Sequence, residues 1–108
     1  GTWLGNKYAL PHMNDGGSII MTSSVAGILG FAGLSAYVTS KHAVVGIMRA
    51  TAIEAAPHKI RVNTVNPAPV NNRMMSSIEE NASPGNSEDV KKEFDSLNIY
   101  CIESQKIK

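Results

Sequence analysis

Two short runs rich in β-branched residues lie on either side of one long helix-forming stretch, and that order leaves few folds open. Ser18-Ile19-Ile20-Met21-Thr22-Ser23 follows Asn14-Asp15-Gly16-Gly17, a series of turn formers, and reads as a buried strand of a parallel sheet. From Ser35, the expected N-cap, to residue 56 the chain is rich in Ala, Val, Met and Ile, and Pro57 stops it. This predicts a helix of about five or six turns. Residues 59–66, Lys59-Ile60-Arg61-Val62-Asn63-Thr64-Val65-Asn66, alternate and end at Pro67, which predicts a second strand. Strand, long helix and strand make a βαβ unit, so the expectation is parallel strands, a right-handed crossover and an α/β layered fold.

The flanking segments are shorter and less regular. Trp3, Leu4, Tyr8, Leu10 and Met13 fall at helical spacing and predict the last turns of a helix before the turn at residues 14–17. Residues 27–33 are studded with glycine and read as a loop. Beyond residue 70 the chain becomes polar, and seven of its nine acidic residues lie after position 78. Short helices are expected near 73–81 and 87–96, with Ser83-Pro84-Gly85-Asn86 as a turn or hinge between them. The expected domain covers residues 1–97, and residues 98–108 read as a polar, disordered tail.

Composition narrows the classes of function. The 108 residues are 43% apolar and 18% charged, with a formal charge of +1. That is the composition of a soluble domain with no basic field for nucleic acid or an anionic membrane. The weakly charged stretch at 16–38 is interrupted by glycines and hydroxyl residues, so no membrane span is expected. Cys101 is the single cysteine, which favours a reducing, cytoplasmic location. His12, His42 and His58 lack metal-ligand spacing, and no metal is expected. The Glu79-Glu80 and Lys91-Lys92 pairs read as solvated helix faces.

Tyr37 and Lys41 are four apart at the start of the long helix and therefore share one face. An ammonium held beside a phenol favours its ionised form and makes a tyrosine a usable acid or base. Ser24 follows the first strand, at the carboxyl end where α/β sheets place their ligands, and its hydroxyl can orient a carbonyl. Taken alone, a Ser, a Tyr and a Lys at these spacings occur in many proteins and leave the reaction open.

Three motifs in register go further. Gly17-Ser18-Ile19-Ile20-Met21-Thr22-Ser23-Ser24-Val25-Ala26-Gly27, then Tyr37-Val38-Thr39-Ser40-Lys41, then Ile60-Arg61-Val62-Asn63-Thr64-Val65-Asn66-Pro67 resemble the short-chain dehydrogenase/reductase family. The likeness includes members of the 3-oxoacyl-(acyl-carrier-protein) reductase-like and hydroxysteroid dehydrogenase-like kinds. It implies a partial Rossmann-like, doubly wound parallel sheet in a three-layer αβα arrangement, of which this chain would be the central to C-terminal part. In the family pattern Tyr37 is the general acid/base, Lys41 binds the nicotinamide ribose and favours the ionised tyrosine, and Ser24 polarises the substrate carbonyl. Pro67, Ala68, Val70 and Asn72 take the positions that contact the nicotinamide. Ala68 stands where the family has Gly, and Asn72 where it has Thr.

The resemblance further implies NAD or NADP as cofactor, a small carbonyl or secondary alcohol as substrate, and a homo-oligomer formed through the helix at 35–56. In that helix Ala43, Gly46, Ile47 and Ala50 are small or apolar enough either for simple packing or for close approach of a second copy. Residues 30–34 take the place of a substrate-facing loop, or are a plain connection between strand and helix. The glycine-rich TGxxxGxG turn, the residue that selects NAD or NADP, the NNAG motif and the family's fourth catalytic residue, an Asn, have no counterpart in these 108 residues. A truncated, catalytically inactive chain that acts at most through its long helix is therefore the alternative expectation.

Overall fold

The structure, a computed structural model, describes residues 1–69, the single positions 73, 77, 80, 81 and 85, and the backbone of Cys101–Ser104. Helix α1, Thr2–Ala9, runs into a 3₁₀ turn at Leu10–His12, where Pro11 removes a backbone donor and tightens the last turn. Gly16, with φ of +83°, turns the chain into β1, Ser18–Thr22. Helix α2, Ser35–Ala55, crosses back, and β2, Arg61–Asn66, follows.

β1 and β2 pair in parallel, with Ser18 opposite Arg61 and Thr22 opposite Val65, as the βαβ pattern requires. A third strand, β3 at Cys101–Ser104, lies antiparallel on the other side of β2, with Asn63 opposite Ser104 and Asn66 opposite Cys101. The sheet order is therefore β1-β2-β3. Over Cys101–Ser104 strand replaces the expected disordered tail at 98–108, and the rest of that stretch lies outside the described residues. β2 offers a second row of backbone donors and acceptors, and an edge of that kind takes up a strand through main-chain bonds alone. The expected domain end at residue 97 and the expected helix at 87–96 lie outside the described residues. Within the expected helix at 73–81, Arg73, Ser77, Glu80 and Asn81 have helical backbone. Gly85 sits in a turn with φ of +82°.

The core lies between the sheet and α2. Val45, Met48, Ala52 and Ala55 fall at helical spacing on one face of α2 and pack on Met21 of β1, Ile60 and Val62. β2 alternates as a half-covered strand does, with Val62, Thr64 and Asn66 buried and Arg61 and Val65 exposed. The Asn6 amide reaches from α1 to Thr51 Oγ1 (3.4 Å) and Met21 Sδ (3.5 Å), which sets α1 beside α2 on the same face. Sheet and helices together form part of a Rossmann-like αβα arrangement, with both helices on one face of the sheet and Ile20 exposed on the other. None of the described helices is long and apolar enough to cross a membrane.

Helix α2 begins one residue earlier in its capping than expected. Leu34, not Ser35, occupies the N-cap, without a side-chain cap bond. Gly33, at φ of +77°, turns the chain, and Val38 N–H donates to Leu34 O (2.8 Å), so backbone bonds alone set the start of the helix. At the other end Pro57 lies in a 3₁₀ turn at Ala56–His58. Lys59 then adopts the left-handed conformation (φ 57°, ψ 25°) and directs the chain into β2.

Candidate active site

The candidate residues gather at the carboxyl ends of β1 and β2, and short bonds hold the segments that carry them. Past Thr22 the chain stays extended, and Ser23 N–H donates to Val65 O at 2.8 Å, continuing the parallel ladder one step. Ser24, half-buried, caps a 3₁₀ turn at Val25–Gly27, its Oγ accepting from Ala26 N–H at 3.2 Å. Val25 N–H donates to Pro67 O at 3.0 Å, which ties the loop after β1 to the segment after β2. Ser24 and Pro67 are thus carried on two joined loops.

Helix α2 supplies the second half. Tyr37 and Lys41 stand one turn apart near its start, with Lys41 Nζ 5.6 Å from the centre of the Tyr37 ring. That lies within reach of a cation–π contact. Tyr37 is 45% exposed, so its phenol is open to a small molecule. Ser40 Oγ donates to Tyr37 O (2.7 Å), a bond within the same turn.

Helix and loop are clamped by residues that the sequence reading left without a role. Ser23 is buried, and its hydroxyl donates to Lys41 O at 2.9 Å. Gly27 lies against the same place: a Cβ built there would fall 2.4 Å from Ser23 Oγ and 3.0 Å from Lys41 O. The glycine four residues after Ser23 is the only trace of this clamp in the sequence.

Ala68 is buried, as a residue at the base of a site would be, and Pro67 is half-buried. Asn66, fully buried, donates to Thr64 Oγ1 at 3.2 Å, while its Oδ1 has no hydrogen-bond partner among the described residues. Val70 and Asn72 lie outside the described residues. Ser24, Tyr37, Lys41, Pro67 and Ala68 therefore belong to three segments joined at one end of the sheet. That end of the sheet carries a hydroxyl on the loop after β1 and a phenol and an ammonium on the opening turns of α2.

Residues 1–95 match the family model described as enoyl-(acyl carrier protein) reductase. The chain belongs to the short-chain dehydrogenase/reductase family. It is 49% identical over 78 residues to the (-)-trans-carveol dehydrogenase of Rhodococcus erythropolis, covering 69% of this chain and 28% of that protein. It is 42% identical over 79 residues to the trans-4-hydroxycyclohexanecarboxylate dehydrogenase of Sinomonas cyclohexanicum, covering 72% of this chain and 30% of that protein. Among solved structures, a 4-hydroxyisoleucine dehydrogenase complexed with NADH superposes with a TM-score of 0.53 at 23% identity, covering 87% of this chain and 42% of that one. That likeness bears on the fold, which it shares. The short-chain dehydrogenase/reductase chain described here spans less than a third of the length of these two curated relatives. The family match occupies the N-terminal 95 residues of this chain. It gives no support to the expected place of the chain as a central to C-terminal part of a family member.

Proposed function

We propose that these residues form the proton-exchanging centre of an NAD- or NADP-dependent oxidoreductase that interconverts a small carbonyl compound and a secondary alcohol. The observation that carries the reading is the Tyr37–Lys41 pair on the opening turns of α2, held over joined strand-end loops that bear Ser24 and Pro67. Support also comes from the relatives, two of which are named as dehydrogenases of cyclic alcohols.

The donor set fits a nicotinamide nucleotide. An exposed phenol and an ammonium beside it suit sugar hydroxyls, and Asn66, whose buried Oδ1 has no hydrogen-bond partner among the described residues, directly precedes the Pro67–Ala68 segment that would face an amide. Lys41 would hold the ribose, and Pro67, Ala68, Val70 and Asn72 the nicotinamide. When bound, the nucleotide supplies or accepts the hydride. The chain's own part is position and proton. Ser24 Oγ donates to the substrate oxygen and fixes its orientation, Tyr37 Oη gives or takes the proton at that oxygen, and Lys41 places its ammonium beside the phenol. The reading fits a cytoplasmic setting.

The outer face of α2 favours a homo-oligomer. Ala43, Gly46, Ala50 and Ile53 recur on one exposed side, Ile53 at 66% exposure, and small residues there let a second helix approach closely. The same face supports a second reading, in which the 108-residue chain alone is inactive and acts only through α2.

Turnover of secondary alcohols with NAD or NADP, measured with residues 1–95 carried in a full-length family member, tests the main reading. Ser24→Ala is expected to lower kcat by about 10²-fold or more, as loss of one donor to a reacting oxygen does. Unchanged kcat would remove Ser24 from the reaction.

A further inference from the structure

We infer that Ser23 is a positioning residue, which sets the Tyr37–Lys41 turn relative to Ser24 through its hydroxyl bond to the Lys41 carbonyl; the inference rests on the function proposed above. Ser23 and Ser24 are neighbours on extended backbone, so their side chains leave the chain in opposite directions. One hydroxyl can then serve the helix while the next serves the site. In a regular helix the carbonyl of Lys41 already accepts from the amide four residues on. A second donor at 2.9 Å adds no bond that the helix needs for its own stability. What it adds is a fixed distance between the end of β1 and the turn that carries Lys41.

The surroundings reinforce that restraint. Ser23 is 4% exposed, so water does not compete for the bond. Gly27 leaves room for the bond: a Cβ there would meet Ser23 Oγ at 2.4 Å, Lys41 O at 3.0 Å and Val45 Cγ2 at 3.2 Å. Ser23 is also held from its amide side by Val65 O, so the residue is anchored to β2 before it reaches α2. The chain of bonds runs from the centre of the sheet to Lys41 and passes Ser24 by one residue.

NMR of the 108-residue chain tests this without turnover. The Lys41 carbonyl carbon reports the bond it accepts from Ser23, and NOEs from the Gly27 α protons to the Val45 methyls report the spacing of loop and helix. Ser23→Ala is expected to move the Lys41 carbonyl shift and weaken those NOEs while the signals of Met48 and Val62 stay dispersed, and Ser23→Thr, which keeps the hydroxyl, is expected to restore both. An unmoved Lys41 carbonyl shift with unchanged NOEs in Ser23→Ala overturns the inference. So does a collapse of core dispersion along with both changes, because that is a purely structural role. In a full-length family member kcat should fall about tenfold in Ser23→Ala, the worth of one hydrogen bond read as a rate, with KM for the alcohol unchanged. If Ser24→Ala keeps its turnover while the Lys41 shifts respond to Ser23, the proposed reaction fails and the positioning stands.

Discussion

Gly27 is where a single atom would do the most damage. Its missing Cβ would lie 2.4 Å from Ser23 Oγ and 3.0 Å from a helix carbonyl, and the carbonyl belongs to backbone that cannot step aside cheaply. Gly27→Ala should therefore destabilise the chain by about 1–3 kcal/mol, measured by denaturant melts against the parent. Lys59 presents the opposite case, a side-chain residue at φ of 57° where glycine would be unstrained. Lys59→Gly should raise stability by up to about 1 kcal/mol in the same melts, the left-handed strain removed outweighing the added chain freedom. At this scale the sequence was informative about chemistry and silent about anchoring. Helix geometry puts positions 37 and 41 on one face, and the family motifs, not the spacing, single out Ser24, Tyr37 and Lys41. Ser23 and Asn66 carry no pattern, since their roles arise from contacts across 18 residues or within a buried strand end.

Helix α2 is the element that organises the rest, and its two faces do different things. Its inner face buries Met48 completely among Met21, Val62 and Ile60, so Met48→Ala should cost about 2–5 kcal/mol, read as a drop in denaturation midpoint. Its outer face has open space at Gly46, where a side chain would meet nothing within 4 Å. Gly46→Glu should leave the fold intact or slightly firmer, because glycine is a poor helix former, and should shift any self-association seen by sedimentation toward monomer. An unchanged oligomer would clear α2 of that role. The βαβ order was legible because period and punctuation agree over long runs: β-branched alternation, Pro57, Pro67. β3 was not legible, since four residues that join an edge by main-chain bonds need no apolar pattern. The cap at Leu34 was hidden for a similar reason, the turn at Gly33 having set the helix start without a side-chain bond.

For the whole molecule, the fold brings the carboxyl ends of two parallel strands and the opening turns of one helix to a single place. The chain spans 28% of the length of its carveol dehydrogenase relative, and its sequence holds no TGxxxGxG turn for a pyrophosphate. The proposed division of labour is that these residues hold the reacting oxygen, its proton and the nicotinamide end of the nucleotide, while a family member's other elements grip the pyrophosphate. The central claim is that Tyr37 exchanges the proton. It is tested most directly by Tyr37→Phe, with residues 1–95 in a full-length family member and cofactor binding measured beside turnover. The account predicts that kcat falls by about 10²–10⁴-fold, the range for loss of a general acid/base, while the nucleotide still binds; turnover kept within about twofold of the parent would contradict it.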